Sequence, residues 1–391
     1  MRPTVLIGLS LVLALAGAAP VALTAQPPAV GSKAPDIRLK TREGAEVVLS
    51  SYVGKKNVLL TFLAGGGYYN SRIAARLRYE RDRIAGYDAE AVVVYPGSGA
   101  GDRFYGVKYG KSALTLHDLD GRAYAAYGLA MRGEDKGTWA TFFIDKQGVI
   151  QLRYLRGPRR KNQRRQADLL DIYEDIERKL GLWKVPKTAR KITFRQGVSP
   201  VGYAGCTALQ IWPRYKKKET LAGKKTAFVR SRTGGEFVII QFQGLVGGTG
   251  IPKDATVHRA VLRLTTINHA STQKTRLHRM TTPWNIHATF FRASIKEGGD
   301  VPWKEPGLGQ AGANFDTAPA TPDYQVPVTG DVQWDVTATV QGWLNGKLNH
   351  GLAILADTTK TPDHACFAMP PFMWPDRRPA LIVYFEEKNG Q

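Results

Sequence analysis

Cysteine is almost absent from this chain: two among 391 residues, Cys206 and Cys366, with none before them. The first half therefore cannot run thiol–disulfide exchange, form a sulfenic acid or build a thiolate metal site. Histidine is also scarce, seven in all, with His117 alone between residues 30 and 182. His269, His278 and His287 recur every nine residues, but no Asp, Glu or Cys accompanies them, so no metal and no cofactor is expected. After Val5–Leu23, no apolar run approaches the ~20 residues that a membrane-spanning helix needs. Acidic residues are few, 33 against 55 Lys and Arg, giving a formal charge of +22. Residues 30–182 carry 27 basic and 18 acidic side chains, and 183–391 carry 27 and 15, so the excess is spread over both halves. A field of that sign favours anionic partners: acidic polysaccharide, an anionic lipid surface or nucleic acid.

What is present begins with a single charge, Arg2, an apolar stretch broken by small residues and Pro20, and a small-residue exit before Gln26. This reads as a signal peptide over 1–25, cleaved after Ala25, and places the protein in a secreted, periplasmic or cell-surface setting. In that oxidising setting an even pair of cysteines is expected to form a disulfide, Cys206 to Cys366. The full sequence is 43% hydrophobic, and what remains after the signal peptide is long enough for two or three domains with proper cores.

Between 30 and 182 strands alternate with helices. Asn57–Ala64 and Ala91–Tyr95 are continuous apolar runs of buried-strand type. Ser71 is placed to cap a helix reaching Ala85, Thr138–Asp145 and Val149–Leu155 make a hairpin, and Asn162–Leu180 is an amphipathic helix. Gly65–Gly67 lack a lysine at P-loop spacing. Residues 183–199 read as a linker. Beyond it, short strands recur with Gly, Pro and Thr turns (Glu236–Phe242, Val257–Thr266, Arg276–Met280, Gly351–Ala356, Leu381–Phe385), and Thr337–Leu344 makes one short helix opened by Asp335.

The segments VGSKAPDIRL, NVLLTFLA, LHDLDGRAYAAYGL and TWATFFIDKQGVIQLRYLRG resemble the alkyl hydroperoxide reductase and redoxin branch of the peroxiredoxin/thioredoxin-like families over about 150 residues. The resemblance implies a thioredoxin-like α/β fold and, in the family, a catalytic cysteine after the central strand. Here Tyr68 and Ser71 stand where the sulfurs are expected, and Trp139-Ala140 stand where the family carries a cis-proline. From about 200 onward, FVIIQFQGL, GIPKDATVHRAVLRL, TTPWNIHATF, VQWDVTATVQGWLNGKLNHGLAIL and RRPALIVYF resemble the DNRLRE domain, classed as carbohydrate-binding module family 96. That implies an extracellular jelly roll over 200–388, in a family with binders of acidic polysaccharide.

Within this second domain Trp284, Trp334 and Trp343 are expected in the core, whereas Trp212, Trp303 and Trp374 lie beside prolines in loops and are candidate stacking surfaces. Arg214, Lys216, Lys217 and Lys218 form a basic loop run. Arg259 and Arg263 alternate with Leu262 and Leu264, which places them on the solvent face of a strand, with Arg276 and Arg279 nearby. An arginine fork matches a uronate carboxylate or sulfate. The reading is an α/β thioredoxin-like domain followed by an all-β jelly-roll sandwich, and a secreted non-enzymatic protein that binds anionic polysaccharide or cell-surface material. Nucleic acid is not expected as a partner, the chain is not expected to span a membrane, and the oligomeric state is open. Two alternatives stand beside it: an oxidoreductase acting without its own thiols, and a protein–protein interaction module.

Overall fold

A computed structural model describes residues 26–63, 77, 80–97, 113–129, 139–156, 169–212, 220–230, 236–267, 274–326, 330–356 and 364–387. The expected signal peptide lies outside them.

The first domain contains β1 (Arg38–Lys40), β2 (Glu46–Val48), β3 (Asn57–Phe62), α1 (Arg81–Ala85), β4 (Ala89–Pro96), β5 (Leu114–Asp118), α2 (Arg122–Ala126), β6 (Trp139–Ile144), β7 (Ile150–Arg156) and α3 (Leu169–Lys179). Its seven strands form one sheet in the order β2-β1-β5-β4-β3-β6-β7. β3, β4 and β5 run parallel, while β6 and β7 turn back antiparallel. Every residue of β3 is buried, because the sheet is covered on both faces. Alternation divides the core accordingly. Leu59, Val93, Tyr95 and Phe143 pack with Ile172, Tyr173 and Ile176 of α3, while Val58, Leu60, Phe62 and Val94 pack with Ala123, Tyr124 and Tyr127 around α2. This is a thioredoxin-like three-layer domain.

The second domain is mostly strand: β8 (Arg190–Arg195), β9 (Cys206–Ile211), β10 (Thr226–Arg230), β11 (Phe237–Phe242), β12 (Thr256–Thr266), β13 (Lys274–Arg279), β14 (Arg292–Ser294), β15 (Val301–Pro302), β16 (Tyr324–Gln325), β17 (Gly330–Asp335), α4 (Thr337–Leu344), β18 (Leu352–Ala356), β19 (His364–Ala368) and β20 (Ala380–Glu386). A six-stranded sheet runs β10-β19-β12-β20-β8 with β17 also on β12, and a five-stranded sheet runs β16-β13-β18-β11-β9. One apolar core joins them, with Ala260, Leu262 and Leu264 of β12 facing Val238, Ile240 and Phe242 of β11. The N-cap position of α4 is Val336, which makes no side-chain cap bond, and Asp335, expected to open the helix, sits one residue earlier and accepts a hydrogen bond from the Thr337 amide at 2.9 Å.

Two sequence expectations change here. The span read as a linker contains β8, an edge strand of the sandwich that pairs with β20 from Arg190↔Phe385 to Arg195↔Ala380. Cys206 and Cys366 are free thiols, not a disulfide. Cys206 opens β9 opposite Phe242, whereas Cys366 lies in β19 opposite Phe228, so the two belong to different sheets. Burial pushes the Cys366 thiol up to about 11 and raises that of Cys206 further.

Candidate functional site

Two places concentrate chemistry-bearing side chains. The first is the end of the first domain's sheet where β3, β4 and β5 finish. Tyr124 of α2 is buried there, and its hydroxyl lies between the carbonyl oxygens of Leu63 and Val94. Burial raises its phenol well above the ordinary range, so it acts as a neutral donor. Asp118 accepts from the amides of Gly121 at 3.0 Å and Tyr124 at 2.9 Å, tying β5 to α2. Burial lifts its carboxyl, and those amide bonds work against the lift. Both side chains are thus engaged in backbone caps. Tyr68 and Ser71 lie outside the described residues, as does Gly65–Gly67.

The second place is the seam between the domains, built on α3. Helical spacing turns Ile172, Tyr173 and Ile176 into the first domain's core and Glu174, Glu177 and Arg178 toward the sandwich. Glu177 is the centre. Its Oε1 accepts from Arg83 Nη2 at 2.7 Å and from the Tyr87 hydroxyl at 2.8 Å, and its Oε2 accepts from Arg259 Nη1 of β12 at 2.9 Å. Burial alone would raise this carboxyl, but Arg83 and Arg259 outweigh it and hold Glu177 below the usual carboxylate range. Around it, Tyr384 donates to Glu174 at 2.9 Å and Tyr324 donates to Glu80 at 2.7 Å. Trp183 stands edge-on to Tyr384 at 5.3 Å, with Arg259 4.5 Å from its ring centre on β12's side and Arg178 4.1 Å away from α3. Residues from both domains close this seam, and the arrangement fits structural docking.

The predicted ligand residues fare unevenly. Arg259 is not a solvent-facing cation, because it is bound into the seam. Arg263 is only 4% exposed, lying 3.7 Å from Asp331, with the Gln333 side-chain amide 2.9 Å from its Nε. On that face the segment through Trp183, Val185 and Ala189 packs on Val261 and Ile382, Arg259 meets Glu177 of the first domain, and Arg263 meets Asp331 of β17. Arg276 pairs with Asp323 at 3.2 Å, and Arg279 grips Asp316 through two hydrogen bonds, of 2.8 and 3.0 Å. Trp303 is 4% exposed, and its indole donates to the Thr289 carbonyl at 2.8 Å, so it is a core residue and not a stacking surface. Trp212 is half-buried with Arg230 5.7 Å from its ring centre. Trp284, Trp334 and Trp343 are buried, as expected. Arg214, Lys216, Lys217, Lys218 and His269 lie outside the described residues; His278 is buried and His287 exposed, and no metal-ligating cluster occurs among the described residues. Among those residues, no helix is long and apolar enough to cross a membrane.

One basic recess was not anticipated. A cleft of about 350 Å³ runs beside the open edge of β8, lined by Arg190, Lys191, Thr193, Ser199, Pro200 and Thr249. Arg190 is paired with Glu387 there, and the Lys191 ammonium lies 5.0 Å from the Tyr384 ring centre. The signal for it was in plain sight as a basic pair inside a stretch taken for a linker.

Residues 30–153 match the AhpC/TSA family. The N-terminal domain is a redoxin domain of that type. Similar proteins include alkyl hydroperoxide reductase E from Mycobacterium tuberculosis and from Mycobacterium bovis, each 28% identical over 133 residues, covering 33% of this chain and 86% of the relative. Similar solved structures include the peroxidoxin BcpB from Mycobacterium tuberculosis, with 17% identity, TM-score 0.31, and coverage of 39% of this chain and 96% of that one. Another is a putative thiol:disulfide interchange protein DsbE from Chlorobium tepidum, with 21% identity, TM-score 0.29, and coverage of 37% and 94%. The redoxin domain differs from its name's usual chemistry in one plain respect: no cysteine occurs in the matched residues.

Proposed function

We propose that this protein is a secreted, non-enzymatic binding protein, in which the redoxin domain serves as a docked scaffold and the sandwich, a DNRLRE-type jelly roll, binds anionic polysaccharide or cell-surface material. The observation that carries this reading is the absence of any cysteine from the redoxin domain, combined with that domain's use of α3 to cover the sandwich. Peroxide reduction in the cysteine-dependent manner requires a thiolate that is oxidised and then resolved; this domain has no atom to take either role. The seam offers a structural reason to keep the fold without the reaction, since without α3 Arg259 of β12 and Tyr384 of β20 would lose their carboxylate partners Glu177 and Glu174.

With Arg259, Arg263 and Trp303 committed to packing, the anion-binding residues are the loop cations Arg214 and Lys216–Lys218 together with the cleft cations Arg190 and Lys191. A carboxylate or sulfate in that cleft would meet two cations and the hydroxyl-bearing Thr193, Ser199 and Thr249. The test is retention of the full chain on immobilised alginate and heparin. Retention should fall steeply with salt, and Lys191→Gln combined with Lys216→Gln, Lys217→Gln and Lys218→Gln should abolish most of it. Peroxide consumption should equal that of buffer. Turnover above buffer, or no retention on either polyanion, sinks the reading.

A further inference from the structure

At the end of the sandwich where β8 leads to β9 and β19 leads to β20, two loops stand side by side. The first, residues 196–205, exposes Val198 (41%) and Val201 (100%); the second, residues 369–379, exposes Met373 (59%) and Trp374 (48%). Scattered exposed apolar residues need no explanation, but four large ones on two adjoining loop tips do. The tips are held firmly. Arg378 clamps the two loops together, donating from Nη1 to the Gln196 carbonyl and from Nε to the Phe372 carbonyl, each at 2.9 Å. The Tyr203 amide closes a turn on the Pro200 carbonyl at 2.9 Å, and the buried Phe372 ring meets Trp374 edge-on at 5.6 Å. The apolar side chains are thus presented by a fixed frame.

The flanks of this patch are basic. The Arg377 guanidinium lies 4.2 Å from the Trp374 ring centre. Lys224 and Lys225 are exposed on the neighbouring turn, which is tied to the patch by the Met369 amide on the Lys225 carbonyl at 3.0 Å. Asp376 is the carboxylate within the Trp374 turn.

We propose that this tip is a peripheral docking site for an anionic phospholipid bilayer. Trp374, Met373, Val198 and Val201 enter the boundary between headgroups and acyl chains, and Arg377, Lys224 and Lys225 meet lipid phosphates. An indole is suited to that boundary, with an apolar body and a polar N–H. Shallow insertion combined with basic flanks is how interfacial segments gain affinity. A glycan platform fits less well: three of the four side chains are aliphatic, and Arg377 lies over the Trp374 ring. The proposal does not depend on the polysaccharide reading.

Full-length protein sedimented with vesicles of phosphatidylglycerol and phosphatidylcholine, mixed about 1:2, should bind, and should bind far less to phosphatidylcholine alone. Met373→Ser with Trp374→Ser should lower vesicle affinity about tenfold or more, and Lys224→Gln with Lys225→Gln about tenfold. All four side chains are exposed, so melting temperatures should hold. Should the double serine variant fail to fold, Val201→Ser, at the fully exposed position, should still cost about fivefold. No binding of the wild type to anionic vesicles overturns the proposal, as does unchanged binding by the serine variants. Loss of alginate retention in the serine variants without any vesicle binding also overturns it and makes the patch a glycan platform.

Discussion

The sandwich has two outer faces, and they are covered by opposite means. Over the five-stranded sheet, the chain folds back on itself between residues 281 and 320, placing Trp284, Trp303, Leu308 and Phe315 against Leu209, Ile239 and Ala353. That cover is apolar and continuous with its own domain. Over the six-stranded sheet, the connecting segment lays Trp183, Val185 and Ala189 on Val261, Ala380 and Ile382, and the part of the cover that comes from another domain is polar: Glu177, Glu174 and Arg178 of α3 against Arg259, Tyr384 and Trp183. Apolar cover contributes to folding without needing a fixed geometry, whereas a bridging carboxylate contributes only while both arginines are in place. The first face is therefore a matter of stability, and the second a matter of how the two domains are held.

Removing part of each cover should separate these roles. The largest effect is expected from Trp303→Ala, which leaves a cavity under a buried ring and strips the Thr289 carbonyl of its donor; a loss of about 3–5 kcal/mol should appear as an earlier unfolding midpoint. Trp374→Ala is the control, expected within about 0.5 kcal/mol because that ring is at the surface. Next, Glu177→Ala leaves Arg83 and Arg259 facing each other across the seam. A cost of about 2–4 kcal/mol is expected, scaled down from a fully buried pair because both arginines keep some exposure. Its signature is specific: calorimetry should resolve two transitions where the wild type shows a coupled one, whereas Trp303→Ala, which leaves the seam intact, should lower the coupled transition without splitting it.

A smaller effect concerns acid. The folded-state pKa of Glu177 lies below its unfolded value, so the carboxylate contributes stability that is present above the ordinary carboxylate range and is lost as pH falls through the folded value. The stability difference between wild type and Glu177→Gln should therefore shrink as pH is lowered below about 4; a difference that stays constant down to that region and below rules out the carboxylate as the origin. The smallest effect involves the thiols, one in each sheet. Reducing agent should shift the melting temperature by no more than about 1 °C, and both thiols should alkylate slowly in the folded protein at pH 8. A large shift would mean that a disulfide forms outside this structure.

The contrast between the faces also explains what could be read from sequence. The strands of the redoxin domain were legible because a sheet covered on both sides writes continuous apolar runs such as Asn57–Phe62. The alternation in β12 correctly placed Arg259 and Arg263 opposite Leu262 and Leu264. It could not say that the outward side is covered, because alternation reports which face a residue is on and not what lies over that face. Trp303 misled for a related reason: proline beside it marks irregular backbone, but irregular backbone laid over a sheet is core. β8 was missed because Arg190, Lys191 and Thr193 give an edge strand a polar look. Tyr68, Ser71 and the basic loop at Arg214–Lys218 lie outside the described residues, so their part in the reading rests on sequence.

The pairing of β8 with β20 bears on how the protein is made. β8 is the first strand of its domain to leave the ribosome, yet its partner, Ala380–Glu386, is the last strand among the described residues. The edge of the six-stranded sheet thus cannot close until synthesis has passed Phe385, whereas the redoxin domain's sheet is complete at Arg156. Long-range pairing of this kind folds slowly, so the nascent chain emerges with a formed first domain trailing an open second one. A chain truncated before Ala380 would lack β20 and leave both β8 and β12 without their common neighbour.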